Sequence, residues 1–302
     1  MPPDPYIKTL PTSDPTRAIE IIRATNLAAL PKVIHGFSTR SGGFTKEYGG
    51  NQLNLGFTAS DSREAVKRNR RIFIRELTSG KGPLPNLIGL RQIHSGIVHI
   101  IKSKDRVSRI GLQGDGIITT HRNVLLAIQV ADCVPVLVVD PTRQAVGAFH
   151  AGWRGTVKRM VERGVGSMRS VFGSHAEDLQ AAIGPCIHAC CYAVGHEVID
   201  EFRSQFVYTD QLFSEVYDRD PVKEKYPLLF LTARAPGHST IGPQTHLDLV
   251  LGNRLQLMDA GIPEERIWSA PECTSCRTDL LFSHRGEAGY TGRMMGAVGM
   301  LS

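Results

Sequence analysis

Three short apolar runs lie almost end to end in the middle of the chain: Val124–Val130, Val134–Val139 and Ala145–His150. Rich in β-branched residues, they read as largely buried strands. The links between them are only a few residues long, whereas a parallel crossover takes a dozen or more. Links this short argue against parallel crossovers and for a mixed sheet, with an antiparallel hairpin supposed on either side of Asp140–Ala145. Helical signals occur on both sides. Asp61-Ser62-Arg63-Glu64 has capping-box spacing before a stripe of Val66, Phe73 and Leu77, with Gly80 beyond its end. Apolar residues recur with helical period through Thr156–Phe172, and helices are predicted at Val194–Phe206 and His246–Ala260. Gly261 and Pro263 stand where the last of these must stop. Another strand is predicted at Ile97–Ile101. Interleaved helices and strands with hairpin-length links predict an α/β fold: a single domain with a mixed sheet covered by helices.

The ends and edges of this domain also leave marks. With prolines at 2, 3, 5, 11 and 15 and no apolar core segment, no secretory signal is expected. Residues 1–30 read as an N-terminal extension and residues 31–302 as the folded domain, with 207–243 as a long excursion. Six cysteines without a signal point to reduced thiols and a cytoplasmic protein. No apolar run approaches the ~20 residues of a membrane-spanning helix. The formal charge of +6 divides unevenly, with 18 basic against 8 acidic residues in 1–110 (net +10) and 17 against 21 in 111–302 (net −4). The basic excess, including Lys67-Arg68-Asn69-Arg70-Arg71, reads either as a solvated helix face or as a positive wall for an anionic small substrate. No nucleic-acid-binding signature accompanies it, and no nucleic-acid or membrane partner is expected.

The chemistry concentrates around the hairpin. If Asp140 pairs with Ala145, Pro135 lies opposite His150 and Cys133 becomes a diagonal neighbour on the same face, within side-chain reach. His94, next to the Ile97–Ile101 strand, is the third candidate. Two histidines and a cysteine form a three-ligand set with a fourth position open, the catalytic pattern for zinc. A buried apolar cysteine and hydrogen-bonded core histidines are the alternative. Asp132 fits either an orienting partner for a metal-bound histidine or a general base. Asp115, in Gly114-Asp115-Gly116, reads preferentially as a turn residue. Pro185-Cys186-x-x-x-Cys190 is one residue too long for the deaminase pattern and lacks its preceding His-x-Glu. Cys273-Thr-Ser-Cys276 has knuckle spacing without a second pair nearby in sequence, so a structural role is expected. A serine-hydrolase elbow is absent.

Eight segments in order carry a resemblance: His35-Gly36-Phe37-Ser38-Thr39-Arg40-Ser41-Gly42-Gly43, Asn54-Leu55-Gly56, Gln92-Ile93-His94-Ser95, Ala131-Asp132-Cys133-Val134-Pro135, His150-Ala151-Gly152-Trp153-Arg154-Gly155, Ile183-Gly184-Pro185-Cys186-Ile187, Cys273-Thr274 and Thr291-Gly292-Arg293. Together they resemble the YfiH/laccase-domain family, whose members are also called multicopper polyphenol oxidase-like. The resemblance implies a single α/β sandwich, and phosphorolysis of adenosine, inosine and methylthioadenosine with deamination of adenosine. It also implies zinc on His94, Cys133 and His150, with copper as the other candidate. Purine nucleosides and phosphate are then the expected partners. Bound zinc would bring the pKa of water to near ~7, as deamination requires. Phosphorolysis needs an anion clamp, for which Arg40 and Arg154 are the candidates, unless both simply pair with carboxylates. Cys133 with His150 as its base would instead make a thiol hydrolase, for which the resemblance implies an amidase acting on cell-wall precursors. A laccase-like copper oxidoreductase is weakly supported, since the 11 histidines are scattered and none forms His-x-His. The chain departs from the family at Ser283-His284-Arg285-Gly286, usually Ser-Tyr-Arg-Arg, and at Ala193, commonly Glu.

Overall fold

The apolar runs form strands, and their pairing has the register the hairpin argument requires. Asp140 pairs with Ala145 and Pro135 with His150. The computed structural model describes residues 7–10, 18–80, 82–101, 111–216 and 243–301. In chain order its strands are β1 (Ile7–Leu10), β2 (Ile19–Ile22), β3 (Val33–Ser38), β4 (Ser41–Thr45), β5 (Asn86–Gly89), β6 (Val98–Ile101), β7 (Gly116–Thr119) and β8 (Val124–Val130). They continue with β9 (Val134–Asp140), β10 (Ala145–Ala151), β11 (Gln180–Ile183), β12 (Phe213–Val216), β13 (Gln244–Leu247), β14 (Ile267–Ser269) and β15 (Met294–Met300). The α-helices are α1 (Thr25–Ala28), α2 (Arg63–Leu77), α3 (Trp153–Val157), α4 (Met160–Phe172), α5 (His196–Gln205), α6 (Thr209–Leu212) and α7 (Leu249–Asp259).

The chain divides into two units, residues 1–188 with 249–302 and residues 189–248. The larger unit holds two six-stranded mixed sheets, in orders β1-β2-β3-β15-β8-β5 and β14-β11-β9-β10-β7-β6. The smaller holds the antiparallel pair β12–β13 with α5 and α6. The α/β class and the mixed pairing agree with the sequence reading, but two sheets pack face to face where a single one was expected. Leu126, Ile128 and Val298 of the first sheet share a buried cluster with Leu137, Val139, Val146 and Ala148 of the second. Leu125, Ala127 and Ala297 point the other way, against Phe73, Ile74 and Leu77 of α2. Side chains alternate between faces along a strand, so burial of both faces is what makes these runs continuously apolar.

Four boundaries differ from expectation. Part of the presumed extension belongs to the core: β2 pairs with β3, and Ile19, Ile21, Ile22 and Leu27 are fully buried. Ser62, not Asp61, caps α2 by accepting from the N–H of Ala65 at 3.5 Å, while Asp61 bonds Thr45 and Asn54. The Thr156–Phe172 helix is broken in two at Arg159, which is left-handed (φ 56°). The carbonyl that would continue the helix, that of Thr156, accepts instead from the Arg159 N–H and from Gln256 Nε2 of α7. Residues 244–247 are a strand, so the last predicted helix starts at Leu249. Of the predicted excursion, residues 217–242 lie outside the described residues.

Candidate metal and catalytic site

Cys133 lies in the three-residue link between β8 and β9, a link that carries the chain from one sheet to the other. Asp132 makes the turn at φ 86°, a left-handed conformation that Asp tolerates better than most residues. His150 is near the end of β10, and His94 sits in the loop before β6 at φ 56°. The ligand-competent atoms of His94, Cys133 and His150 all lie within 4.8 Å of one another. Cys133 Sγ is 3.8 Å from His94 Nε2, and the two imidazole centroids are 4.9 Å apart at 68°. Gly152 makes room for the sulfur, because a Cβ there would stand 2.7 Å from Sγ. The structure thus brings together the three residues that the sequence singled out.

The orienting carboxylate is Asp115, immediately before β7 and fully buried. Its Oδ1 is 2.8 Å from His150 Nδ1 and accepts from the His94 N–H at 3.0 Å. Its Oδ2 accepts from the Ile93 N–H, the Ser95 N–H and the Ser95 hydroxyl. The Asp115 carbonyl takes the His150 N–H. Burial alone would raise this carboxyl, but the bonds from His150 and Ser95 hold it well below the usual carboxylate range. Burial would likewise raise the Cys133 thiol, yet the charge of His150 and hydrogen bonds from His150 and His94 bring it to about 6. His150 moves the opposite way. Burial opposes its protonation, while the charge of Cys133 and the bond to Asp115 lift it to about 9.

Asp132 does not reach these rings. It accepts from Thr274 Oγ1, Ser283 Oγ and the Arg285 N–H, and so ties three distant positions to the Cys133 turn. Arg40 is buried and committed to Gln52, Glu287 and the carbonyls of Tyr48, Thr278 and Leu281. Arg154 is exposed and stacks on Trp153, 4.2 Å from the ring centroid. Neither arginine lines the cavity of about 500 Å³ onto which His94, Cys133 and His150 open. Arg91, Gln92, Gln129, His284 and Arg293 do line it. Sequence reading missed those walls and underrated Asp115. The available signal for Asp115 was its pair of flanking glycines, which packing requires: a Cβ at Gly116 would press on Val98, Phe149 and Met160.

The family described as multi-copper polyphenol oxidoreductase laccase matches residues 34–301. The chain belongs to the YfiH/laccase-domain family. It is 34% identical over 274 residues to purine nucleoside phosphorylase YlmD of Geobacillus stearothermophilus, covering 88% of this chain and 89% of that protein. Adenosine deaminase RL5, from an unknown prokaryotic organism, is 31% identical over 208 residues, covering 67% of this chain and 70% of the relative. Among solved structures, Bacillus licheniformis YfiH superposes with a TM-score of 0.78 at 31% identity, over 98% of this chain and 100% of that one. No helix among the described residues of this YfiH/laccase-domain protein is long and apolar enough to cross a membrane.

Proposed function

We propose that this protein is a purine nucleoside phosphorylase. It would cleave adenosine, inosine and S-methyl-5′-thioadenosine with phosphate, and deaminate adenosine at the same site. The observation that carries the reading is the convergence of His94, Cys133 and His150 on one cavity, in a chain similar over most of its length to a purine nucleoside phosphorylase. Phosphorolysis breaks the C1′–N9 bond and forms a C1′–O bond to phosphate; the bonding pair leaves with the base, which is then protonated. Leu90, Val130 and Ala131 give the cavity an apolar wall suited to a purine ring, and Arg91 and Arg293 supply positive charge for phosphate.

Two imidazoles, one thiolate and the space left by Gly152 fit zinc, and His94, Cys133 and His150 would hold it. Bound there, zinc supplies Lewis acidity toward a substrate oxygen or nitrogen. Asp115 fixes the tautomer of His150, holding the proton on Nδ1 and turning the Nε2 lone pair toward the cluster. We place the protein in the cytoplasm, where Cys133 stays reduced.

Product analysis with adenosine tests the reading. Adenine and ribose 1-phosphate should appear only with phosphate, and Cys133→Ala should lower the rate by at least about 100-fold. Inosine formed without phosphate would show the deaminase activity. No product under either condition overturns the proposal. Metal analysis of the same preparation separates zinc from copper. The Cys133–His150–Asp115 array, with its lowered thiol and raised imidazole, favours one competing reading, a thiol-dependent amidase. Amide hydrolysis that survives chelation would establish it.

A further inference from the structure

The cavity of the candidate site has a neighbour. A second cavity, of about 410 Å³, is bounded by the Gly56–Ser60 loop, Tyr48 and Thr291. The two share a wall made by Gln129 and Arg293. Among the described residues that line either space, none carries a carboxylate, while Arg293 faces both and Arg91 faces the larger. A buried or half-buried arginine normally finds an acidic partner, so a wall of this sign is matched by whatever anion enters it.

Arg293 is built into place. Its N–H donates to Asn54 Oδ1 at 2.8 Å, and its carbonyl accepts from the Leu55 N–H at 2.9 Å. Nη1 is anchored to the carbonyls of Thr291 and Gly292 at 3.2 and 2.8 Å. Gly56 clears the path of the side chain, since a Cβ there would stand 2.6 Å from Arg293 Cγ and 3.1 Å from Gln129 Oε1. Among the described residues, Nε and Nη2 of Arg293 have no protein partner, and neither has the side-chain amide of Gln129. Gln129 is instead fixed through its backbone, which exchanges two bonds with the Gln92 side chain. An anchored guanidinium edge and an unpaired amide thus share one wall with donors to spare.

We infer that Arg293 and Gln129 form the subsite for a phosphate anion, filled by inorganic phosphate, between the catalytic cavity and the Gly56–Ser60 loop. The Nε and Nη2 edge matches two phosphate oxygens, and Gln129 Nε2 can donate to a third. The naming of inorganic phosphate rests on the phosphorolysis reading; the anion subsite itself rests on the wall.

The test uses the full-length protein with Arg293→Gln and Gln129→Glu. The second keeps size and backbone bonds but sets a carboxylate in the wall, and it guards against misfolding of the first. In steady-state assays both should raise the phosphate KM by about 10-fold or more, with the adenosine KM changed by less than about twofold. Independently of turnover, phosphate should raise the melting temperature of the unaltered protein, and both variants should lose that rise. Phosphorolysis with an unchanged phosphate KM in both variants overturns the subsite and leaves the function intact. A variant-sensitive thermal shift without phosphorolysis retains the anion subsite and overturns the function. A shift produced by adenosine 5′-monophosphate but not by inorganic phosphate overturns the assignment to free phosphate.

Discussion

One carboxylate, Asp115, accepts from the backbone of residues 93, 94 and 95 and from the ring of His150, while its own carbonyl holds the His150 N–H. Two of the three candidate ligands therefore take their positions from it. Asp115→Asn keeps one oxygen but turns an amide toward donors. Metal retention and kcat should each fall by about 10- to 100-fold, as measured by metal content and steady-state rates. Gly152→Ala acts from the other side. Its Cβ would crowd Cys133 Sγ, so metal stoichiometry and activity should fall while circular dichroism stays near that of the parent. That Cys133 meets His150 was legible from strand alternation and hairpin register, whereas His94 joined them only as a third candidate beside the Ile97–Ile101 strand. Asp115 was not, since Gly-Asp-Gly is equally the signature of a turn. Nor does sequence adjacency reveal where a carboxylate points, which is why Asp132 faces Thr274 and Ser283 and not a ring.

At the scale of elements, the β8–β9 turn depends on that second carboxylate. Asp132 is buried, has φ 86° and accepts three hydrogen bonds from residues about 140 to 150 positions away. Asp132→Ala leaves those donors unpaired and puts alanine in a left-handed conformation. We expect a loss of about 3 kcal/mol in denaturant unfolding. The four predicted strands were readable to within a residue because their apolar runs end sharply. The break between α3 and α4 was not, because Gln256, which takes the Thr156 carbonyl, arrives from 100 residues further along the chain. The residue pattern through the break remains helical, and only the tertiary partner reveals the stop.

For the whole molecule, a buried histidine sets a pH dependence. His35 pairs across to Val298, its Nε2 lies 3.1 Å from the Ala24 carbonyl, and Arg23 Nη1 donates to the His35 carbonyl. Burial first, and then the Arg23 charge, hold its pKa at about 4, against 6.5 for an exposed imidazole. The unfolded chain therefore binds a proton below pH 6.5 that folded His35 refuses until about pH 4. The stabilisation is complete above pH 6.5 and is lost as pH falls through that window, by roughly 3 kcal/mol. Urea titrations from pH 7 to 4 should show this slope, and His35→Gln should flatten it. The α/β class was legible at this scale, but the division into two sheets was not. That division depends on β15 inserting between β3 and β8, a pairing fixed by contacts across most of the chain.

That architecture bears on the link that holds Cys133. The chain leaves one sheet at Val130 and enters the other at Val134, so the thiol sits on the bridge between two slabs. Whatever grips that sulfur, together with His150 on the second slab, also braces their seam. Occupancy of the site should therefore be felt as mechanical stiffness well beyond it: pulled from its ends, a loaded molecule should resist shearing of the slabs more than an empty one.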